Sequence, residues 1–361
     1  MLRGNLYQRY IVREVFAAIF LVLLAFLALF SFFNFIDELR SVGKSGYTAT
    51  HAAMFVALGL PGLVYELIPI ATLIGTLYAL STLARHSEIT VLRASGLATR
   101  QLLFTLFRAA IALALLTFLV GEAVVPVSER YAQEIKARAL SKVIAQSGFQ
   151  SGLWVKDGRS FINIRAAMPD GKLQGVRVYK FNDQNALESV TDAQSAEFEA
   201  PDAWRLQGVV RTLIEGTVPR VERLASDRWQ SAVNPELLSV LMVAPERMSI
   251  TGLFGYTQHL QENHQKAGRY EIALWKKFLY PLTALVMVAL ALPFGYAHNR
   301  VGGVSLKIFA GVMMGIVFYA LNGLFSNLGA INSWPPFASA TAPSALFLLT
   351  AIFMLWWVER R

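Results

Sequence analysis

From Val15 to Ile36 the chain runs 22 residues without a single charge. A helix of that length, at about 1.5 Å per residue, is long enough to cross a hydrocarbon core of roughly 30 Å. The composition points to lipid as the surrounding medium: 55% hydrophobic, only 16% charged, with a mean hydropathy of +0.45, which lies outside ordinary soluble chains. Arg3, Arg9 and Arg13 precede the run, but its far end, LFSFFNFIDE, has no small-residue pair for a signal peptidase. It is expected to stay as a first helix. The chain has no cysteine, so it has neither a disulfide framework nor a thiolate metal site.

A second charge-poor tract, Ser45 to Ala84, is interrupted only by Glu66 and is too long for one span. Counting back from Arg85 to Glu66 gives 19 residues, or roughly 28 Å of helix, which puts Glu66 at the opposite interface. The second span is then about 67–84, with 51–62 as a lead-in at the outer surface. A third span is expected at 102–126, with Arg108 and Glu122 snorkelling near its ends. Three more follow the middle of the chain, at about 278–297, 308–328 and 337–358, the last two separated by the turn in SNLGAINSWPP.

Basic residues in the short loops set the orientation. With the N-terminus inside, the inner segments hold eleven basic residues against three acidic ones, a surplus of eight in a chain whose formal charge is +9. The topology is then six spans with both termini in the cytoplasm, and the basic balance is an orientation signal that needs no nucleic acid to explain it. The organisation predicted is 1–130 for the first three spans, 131–270 for an external domain and 271–361 for the last three. SERYAQEIKARALSKVI continues the third helix beyond the membrane. GLWVKDGRSFINIR alternates about an Asp157-Gly158 hairpin turn and GVRVYKF alternates again, which predicts a small all-β domain, a sandwich or a roll, with a core over about 149–235. Thr251 to Lys277 is expected to return as a polar helix.

Catalytic and cofactor constellations fail one by one. Gly43-Lys44-Ser45 ends like a phosphate-binding loop, but Glu38 stands where the motif needs its first glycine. His259 and His264 are five apart, off a common helical face, and read as part of a solvated helix. Glu66 is a candidate proton relay by its depth, which the length count turns into an interfacial residue. An ion-coupled transporter would want buried ionisable groups and broken helices at mid-membrane, and the last two spans carry no charge. A plain membrane anchor for the β domain is the other alternative.

ARHSEITVLRASG, residues 84–96, is a charged interruption with helical signals. Ser87 is a candidate N-cap, Glu88 suits the helix dipole, Ile89 and Leu92 share a face, Gly96 suits a left-handed C-terminal position, and Thr99 is a candidate cap for the third span. A helix of two turns does not hold itself in water. It packs either on lipid head groups, with Arg85, Arg93 and Arg100 at phosphates, or on a cytoplasmic motor.

SEITVLRASG after the second span, GEAVVP at the end of the third, GLWVKDGRSFINI opening the β domain and GRYEIALWKKFLYPL leading into the fourth together resemble the LptF/LptG family, the permease subunits of the bacterial lipopolysaccharide export transporter. GLWVKDG is closer to the LptG type than to its LptF paralogue. The resemblance covers nearly the whole chain and implies an α-helical membrane protein with six transmembrane helices and an inserted periplasmic β-jellyroll. It also implies a non-catalytic permease in an ATP-binding cassette exporter of the inner membrane, which extracts lipopolysaccharide and passes it to a periplasmic bridge. Its partners would be a cytoplasmic ATPase dimer that uses ATP and Mg2+, a paralogous permease, periplasmic jellyroll proteins and membrane lipids, with no cofactor bound by this chain. Carried over by position, Glu88 would meet a basic residue of the ATPase in a coupling helix at about 87–96, with Ile89 and Leu92 in the ATPase groove, Arg93 beside them and Gly96 closing the helix. Arg40, Lys136 and Lys277 stand where the family carries positive charge towards the lipid's phosphates. Asn34 replaces a lysine of some members, and Phe32, Phe33 and Phe35 either line an acyl-chain cavity or face lipid.

Overall fold

A computed structural model describes residues 6–44, 46–147, 152–167, 171–199, 202–214, 219–231, 233–235, 238, 243–296 and 304–360. Its helices are α1 (Leu6–Leu39), α2 (Ala49–Arg85), α3 (Glu88–Ala94), α4 (Thr99–Leu119), α5 (Val125–Ser147), α6 (Ile250–Glu262), α7 (Gly268–Leu279), α8 (Thr283–Tyr296), α9 (Val304–Ile331) and α10 (Pro336–Glu359). Six segments among them are long and apolar enough to cross a membrane: α1, α2, Thr99–Lys136, Gly268–Phe294, Ser305–Ile331 and Pro336–Val358.

The second segment differs from its expected form. Residues 51–62 are not a separate lead-in, because α2 is one continuous helix that carries Pro61 and Pro69 in its interior. Proline removes one backbone donor and crowds the preceding turn. Pro69 leaves the Tyr65 carbonyl, four residues back, without its helical donor, and next to that break the Tyr280 hydroxyl donates to the Glu66 carbonyl at 2.7 Å and braces the helix. At 37 residues, α2 spans roughly 55 Å, more than a bilayer core.

α2 and the fourth span form the centre. Ile68, Leu80 and Leu83 of α2 pack with Ile11, Val15, Leu102, Leu106 and Val288, while Leu73 and Leu77 pack with Leu290, Phe318 and Phe347. α1 reaches α2 through a small-residue contact, the kind that lets helix backbones approach in lipid. A Cβ on Gly75 would stand 2.5 Å from the Ile19 Cα. The first and fifth spans are the least buried, and the fourth is the most.

The third span holds an irregular turn whose cause lies in the sequence. Val120–Val124 is a π-helical turn, with the Val125 N–H reaching back to the Val120 carbonyl. Pro126 has no N–H to offer one position further on. The Gly121 carbonyl therefore loses its backbone donor.

Between the third and fourth spans lies a sheet of six antiparallel strands in sequence order: β1 (Leu153–Asp157), β2 (Ser160–Ala167), β3 (Leu173–Phe181), β4 (Leu187–Glu199), β5 (Ala203–Leu213) and β6 (Arg220–Gln230). The Asp157-Gly158 turn is as expected, with Asp157 opposite Ser160 and Gly158 at φ 57°. The described strands form an up-and-down sheet with no crossover between them. Its inner face carries Ile162, Ile164, Val176, Trp204 and Leu206, and Val233 and Leu238 cover them from beyond β6. Trp204, fully buried, donates to the Val233 carbonyl at 2.7 Å.

The return segment is two helices, α6 and α7, not one. The turn between them grips the sheet: the Asn263 side chain accepts from the Gly158 N–H at 2.6 Å, and Lys156 donates to the Asn263 carbonyl at 3.0 Å. His259 is buried on α6 and stacks on Tyr256, which corrects its reading as a solvated residue.

Candidate functional site

Three groups of side chains stand out, and the first surrounds α3. Ser87 stands at its N-cap position, its carbonyl accepting from the Val91 N–H at 3.0 Å, but its side chain makes no capping bond. Its φ is 62°, and its N–H bonds the Ala84 carbonyl at 3.0 Å, so it also occupies the left-handed position that ends α2. Thr99 is not a cap. That position belongs to Ala98, whose N–H bonds the Gln101 side chain at 3.1 Å. The C-terminal signal holds. Gly96 has φ 95°, with Gly96 N–H to the Arg93 carbonyl and Leu97 N–H to the Leu92 carbonyl, at 2.9 and 3.0 Å. This pair of bonds is a Schellman closure.

Ile89, 5% exposed, packs into the chain's own core beside Leu102 and Leu106, and Leu92 and Leu97 pack against the same cluster. Ile89 is therefore spent on the membrane helices and not free to enter a partner's groove, whereas Leu92 is only half-buried. Thr90, Val91, Arg93 and Ala94 make up its exposed face. Glu88, about a third exposed, lies 3.9 Å from His86.

The second group lies at the far end of α1. Lys136 is not a free cation. Its ammonium donates to both oxygens of Glu38, at 2.9 and 3.0 Å, and sits 4.5 Å from the centre of the Phe55 ring. Glu38 is 7% exposed and also accepts from the Tyr47 hydroxyl at 2.8 Å. Burial, followed by that hydrogen bond, pushes the Tyr47 phenol well above its ordinary range. Arg40 is exposed and pairs with Asp37 at 3.5 Å. Phe32, Phe33 and Asn34 are exposed on α1, and Phe35 is half-buried.

The third group was largely missed by sequence reasoning. A cavity of about 650 Å3 lies among α2, α5, α7, α9 and the short turn Pro245–Arg247, lined by Glu66, Glu129, Arg247, Lys276, Lys277 and Asn322, among others. Arg247 donates to Glu129 at 2.8 Å and to Glu66 at 3.4 Å. Burial works against the charge on Arg247, but the two carboxylates outweigh it and hold its proton more firmly than usual. Glu66 is thus an ion-pair partner that ties α2 to the return from the sheet. Glu122 does similar work, accepting from the Ile250 N–H with both oxygens at 3.0 Å. Lys277, 3% exposed, donates to the orphaned Gly121 carbonyl at 2.7 Å and lies 5.2 Å from the Tyr65 ring centre. Gly121 is required there, since a Cβ would meet Tyr65 at 2.5 Å. From Gly121 to Lys136 the same helix runs on for about 22 Å at 1.5 Å per residue, so Lys277 and Lys136 serve different places.

These features define a class: a six-span membrane protein with an all-β insertion between its third and fourth spans. Residues 9–357 match the family described as Lipopolysaccharide export system permease LptF/LptG. The chain is 34% identical over 352 residues to the Lipopolysaccharide export system permease protein LptG of Escherichia coli (strain K12), covering 96% of this chain and 97% of that protein. It is 30% identical over 359 residues to the protein of the same name from Haemophilus influenzae, covering 99% of each. The chain belongs to the LptF/LptG family of lipopolysaccharide export permeases and is a multi-pass protein of the inner membrane.

Proposed function

We propose that this chain is the LptG-type half of a two-permease exporter that moves lipopolysaccharide from the outer leaflet of the inner membrane to a periplasmic bridge, with the work supplied by a separate cytoplasmic ATPase. The observation that carries this reading is the way α3 is anchored. A seven-residue helix is too short to be stable alone, yet α3 is closed by Gly96, anchored through Ile89 and joined by turns to α2 and α4. A push on its exposed face reaches two spans at once. In this orientation both termini are cytoplasmic and the β-sheet is periplasmic. Glu88 and Arg93 meet the ATPase, which binds ATP and Mg2+, and this chain holds no cofactor of its own.

The lipid side of the reading uses α1. Phe32 and Phe35 offer apolar surface to acyl chains, Asn34 and Arg40 stand at head-group depth, and Lys136 is the nearby cation held on Glu38. A paralogous LptF-type permease would cover this lightly buried face, and periplasmic jellyroll proteins would extend the path beyond the sheet.

The test is Glu88→Ala in the intact complex. The expected result is loss of ATPase co-purification and of ATP-driven lipopolysaccharide release, with Gly96→Ala weakening both. Unchanged co-purification and release would overturn the coupling role.

A further inference from the structure

Asp157 and Ser231 belong to opposite edges of the sheet. Asp157 ends β1 and Ser231 follows β6, the first and last strands in the order, yet the Ser231 hydroxyl donates to the Asp157 carboxylate at 2.5 Å. The same hydroxyl accepts from the Val233 N–H at 3.1 Å, and the Ser231 N–H donates to the Asp202 carbonyl at 3.0 Å. The two edges therefore meet at one corner, and the Asp157-Gly158 turn forms part of it.

That corner is where the α6–α7 hairpin reaches the sheet. Asn263, which caps the C-terminus of α6, is 8% exposed. Its side-chain amide donates to the His259 carbonyl at 2.9 Å while its Oδ1 accepts from the Gly158 N–H. An amide both donates and accepts, so Asn263 finishes its own helix and holds the turn at once. A carboxylate lacks the donor, and an aliphatic side chain lacks both. The Lys156 ammonium adds a second bond, to the Asn263 backbone carbonyl.

Asn263 is in turn well tied to the spans. His264, at φ 54°, donates to the Gln261 carbonyl at 3.0 Å and Gln265 to the Leu260 carbonyl at 2.8 Å, a Schellman closure of α6. Across the hairpin the Tyr256 and Tyr270 rings meet at 4.6 Å, Gln261 donates to Glu271 at 2.7 Å, and Leu253 and Ala273 share a small core. α7 runs on into the fourth span, the most buried of the six.

We infer that Asn263 is a positioning residue for lipid transfer: it fixes the closed corner of the sheet to the hairpin that continues as the fourth span, and so sets how the sheet stands over the spans. The inference rests on the reading that lipopolysaccharide passes from the spans towards the sheet. Because both edges are joined at this corner and the strands between them pair in unbroken order, one contact there orients the whole sheet.

The experiment puts two spin labels on this chain, which has no cysteine of its own, through Ser226→Cys on β6 and Lys266→Cys on the hairpin, both at exposed positions. The complex is assembled with cysteine-free partner subunits, and the distance between the labels is measured by pulsed electron paramagnetic resonance without lipid or nucleotide. ATP hydrolysis, ATP-driven lipopolysaccharide release and melting are recorded for the parent, Asn263→Ala and Lys156→Met. The parent is expected to give one narrow distance. Asn263→Ala is expected to broaden it at least twofold and to lower release at least fivefold, with hydrolysis within twofold of the parent's. Lys156→Met is expected to move the distance and the release in the same direction by less. Where Asn263→Ala fails to fold, Lys156→Met, which leaves the hairpin whole, decides by the same readouts. A distance as narrow as the parent's in the variants overturns the grip. A broadened distance with parent-like release overturns its part in transfer. Hydrolysis and release that fall by the same factor make the contact a matter of folding alone and overturn it as well. A parent complex that releases no lipopolysaccharide counts against the proposed function instead, and the distance alone then decides whether Asn263 sets the sheet.

Discussion

Lys136 and Glu38 lie almost a hundred residues apart in the chain, yet their side chains meet at 2.9 Å, joining α5 to the end of α1. The cation that the proposed function places near the exported lipid is thus already neutralised by the protein itself. A phosphate reaching Lys136 has to compete with a carboxylate that is buried and also held by Tyr47.

Replacing that carboxylate removes the competitor. Glu38→Gln is expected to tighten binding of lipopolysaccharide by the purified complex about three- to tenfold, a gain of roughly 1 kcal/mol. Weaker binding than the parent, measured by quenching or native mass spectrometry, would show that the pair only shapes the site.

Tyr47 makes the same cluster sensitive to high pH. Its phenol is raised from an ordinary value of 10.0, first by burial and then by the hydrogen bond to Glu38. A raised group stabilises the fold fully below its unfolded pKa and loses that contribution as the pH climbs. The melting temperature of the parent is expected to fall more steeply than that of Tyr47→Phe between pH 10 and the alkaline limit of the assay, about pH 11.5. Parallel curves would count against this.

Gly75 tests the contact between α1 and α2. A methyl there would press on backbone, not on a yielding side chain, since the nearest atoms are the Ile19 Cα and N at 2.5 and 2.6 Å. Gly75→Ala is expected to cost about 1–3 kcal/mol, read as a lower midpoint in detergent denaturation. Gly59→Ala, with open space around it, serves as the silent control.

Arg247 is the tie between the return segment and the spans. Arg247→Gln leaves Glu129, 7% exposed on its side chain, and the less buried Glu66 without their cation. The expected loss is roughly 2–3 kcal/mol, and the additional change Glu129→Gln should restore part of it. Equal stability of parent and single variant would show that water replaces the guanidinium.

What could be read from the sequence was whatever depends on local chemistry. Charge-free runs of sufficient length marked the spans, and Asp157-Gly158 and Gly96 marked a hairpin and a helix end because few residues tolerate those backbone angles. Ser87 misled in part: it holds the cap position of the second helix, but with the left-handed backbone that ends the first, and its hydroxyl makes no capping bond. Pro61 and Pro69 were ambiguous too, since partners such as Tyr280 come from far along the chain. The pairing of Arg247 with Glu66 and Glu129 joins residues more than a hundred positions apart, and no local pattern announces it. Lys276 was passed over beside Lys277, although two consecutive lysines in an aromatic stretch were visible as a pair.

The π-helical turn at Val120–Val124 sets the phase of everything beyond it. Such a turn is in effect a single-residue insertion into an α-helix, and each α-helical residue advances the helix by about 100°. The face that Thr99–Leu119 shows its neighbours is therefore rotated relative to the face of α5 that carries Glu129 and Lys136. Removing one residue from the turn would swing Glu129 away from Arg247 and Lys136 away from Glu38 together, with every contacting side chain still in place. The third span works as an indexed shaft, and Pro126 with Gly121 fixes the notch at which its outer half is set.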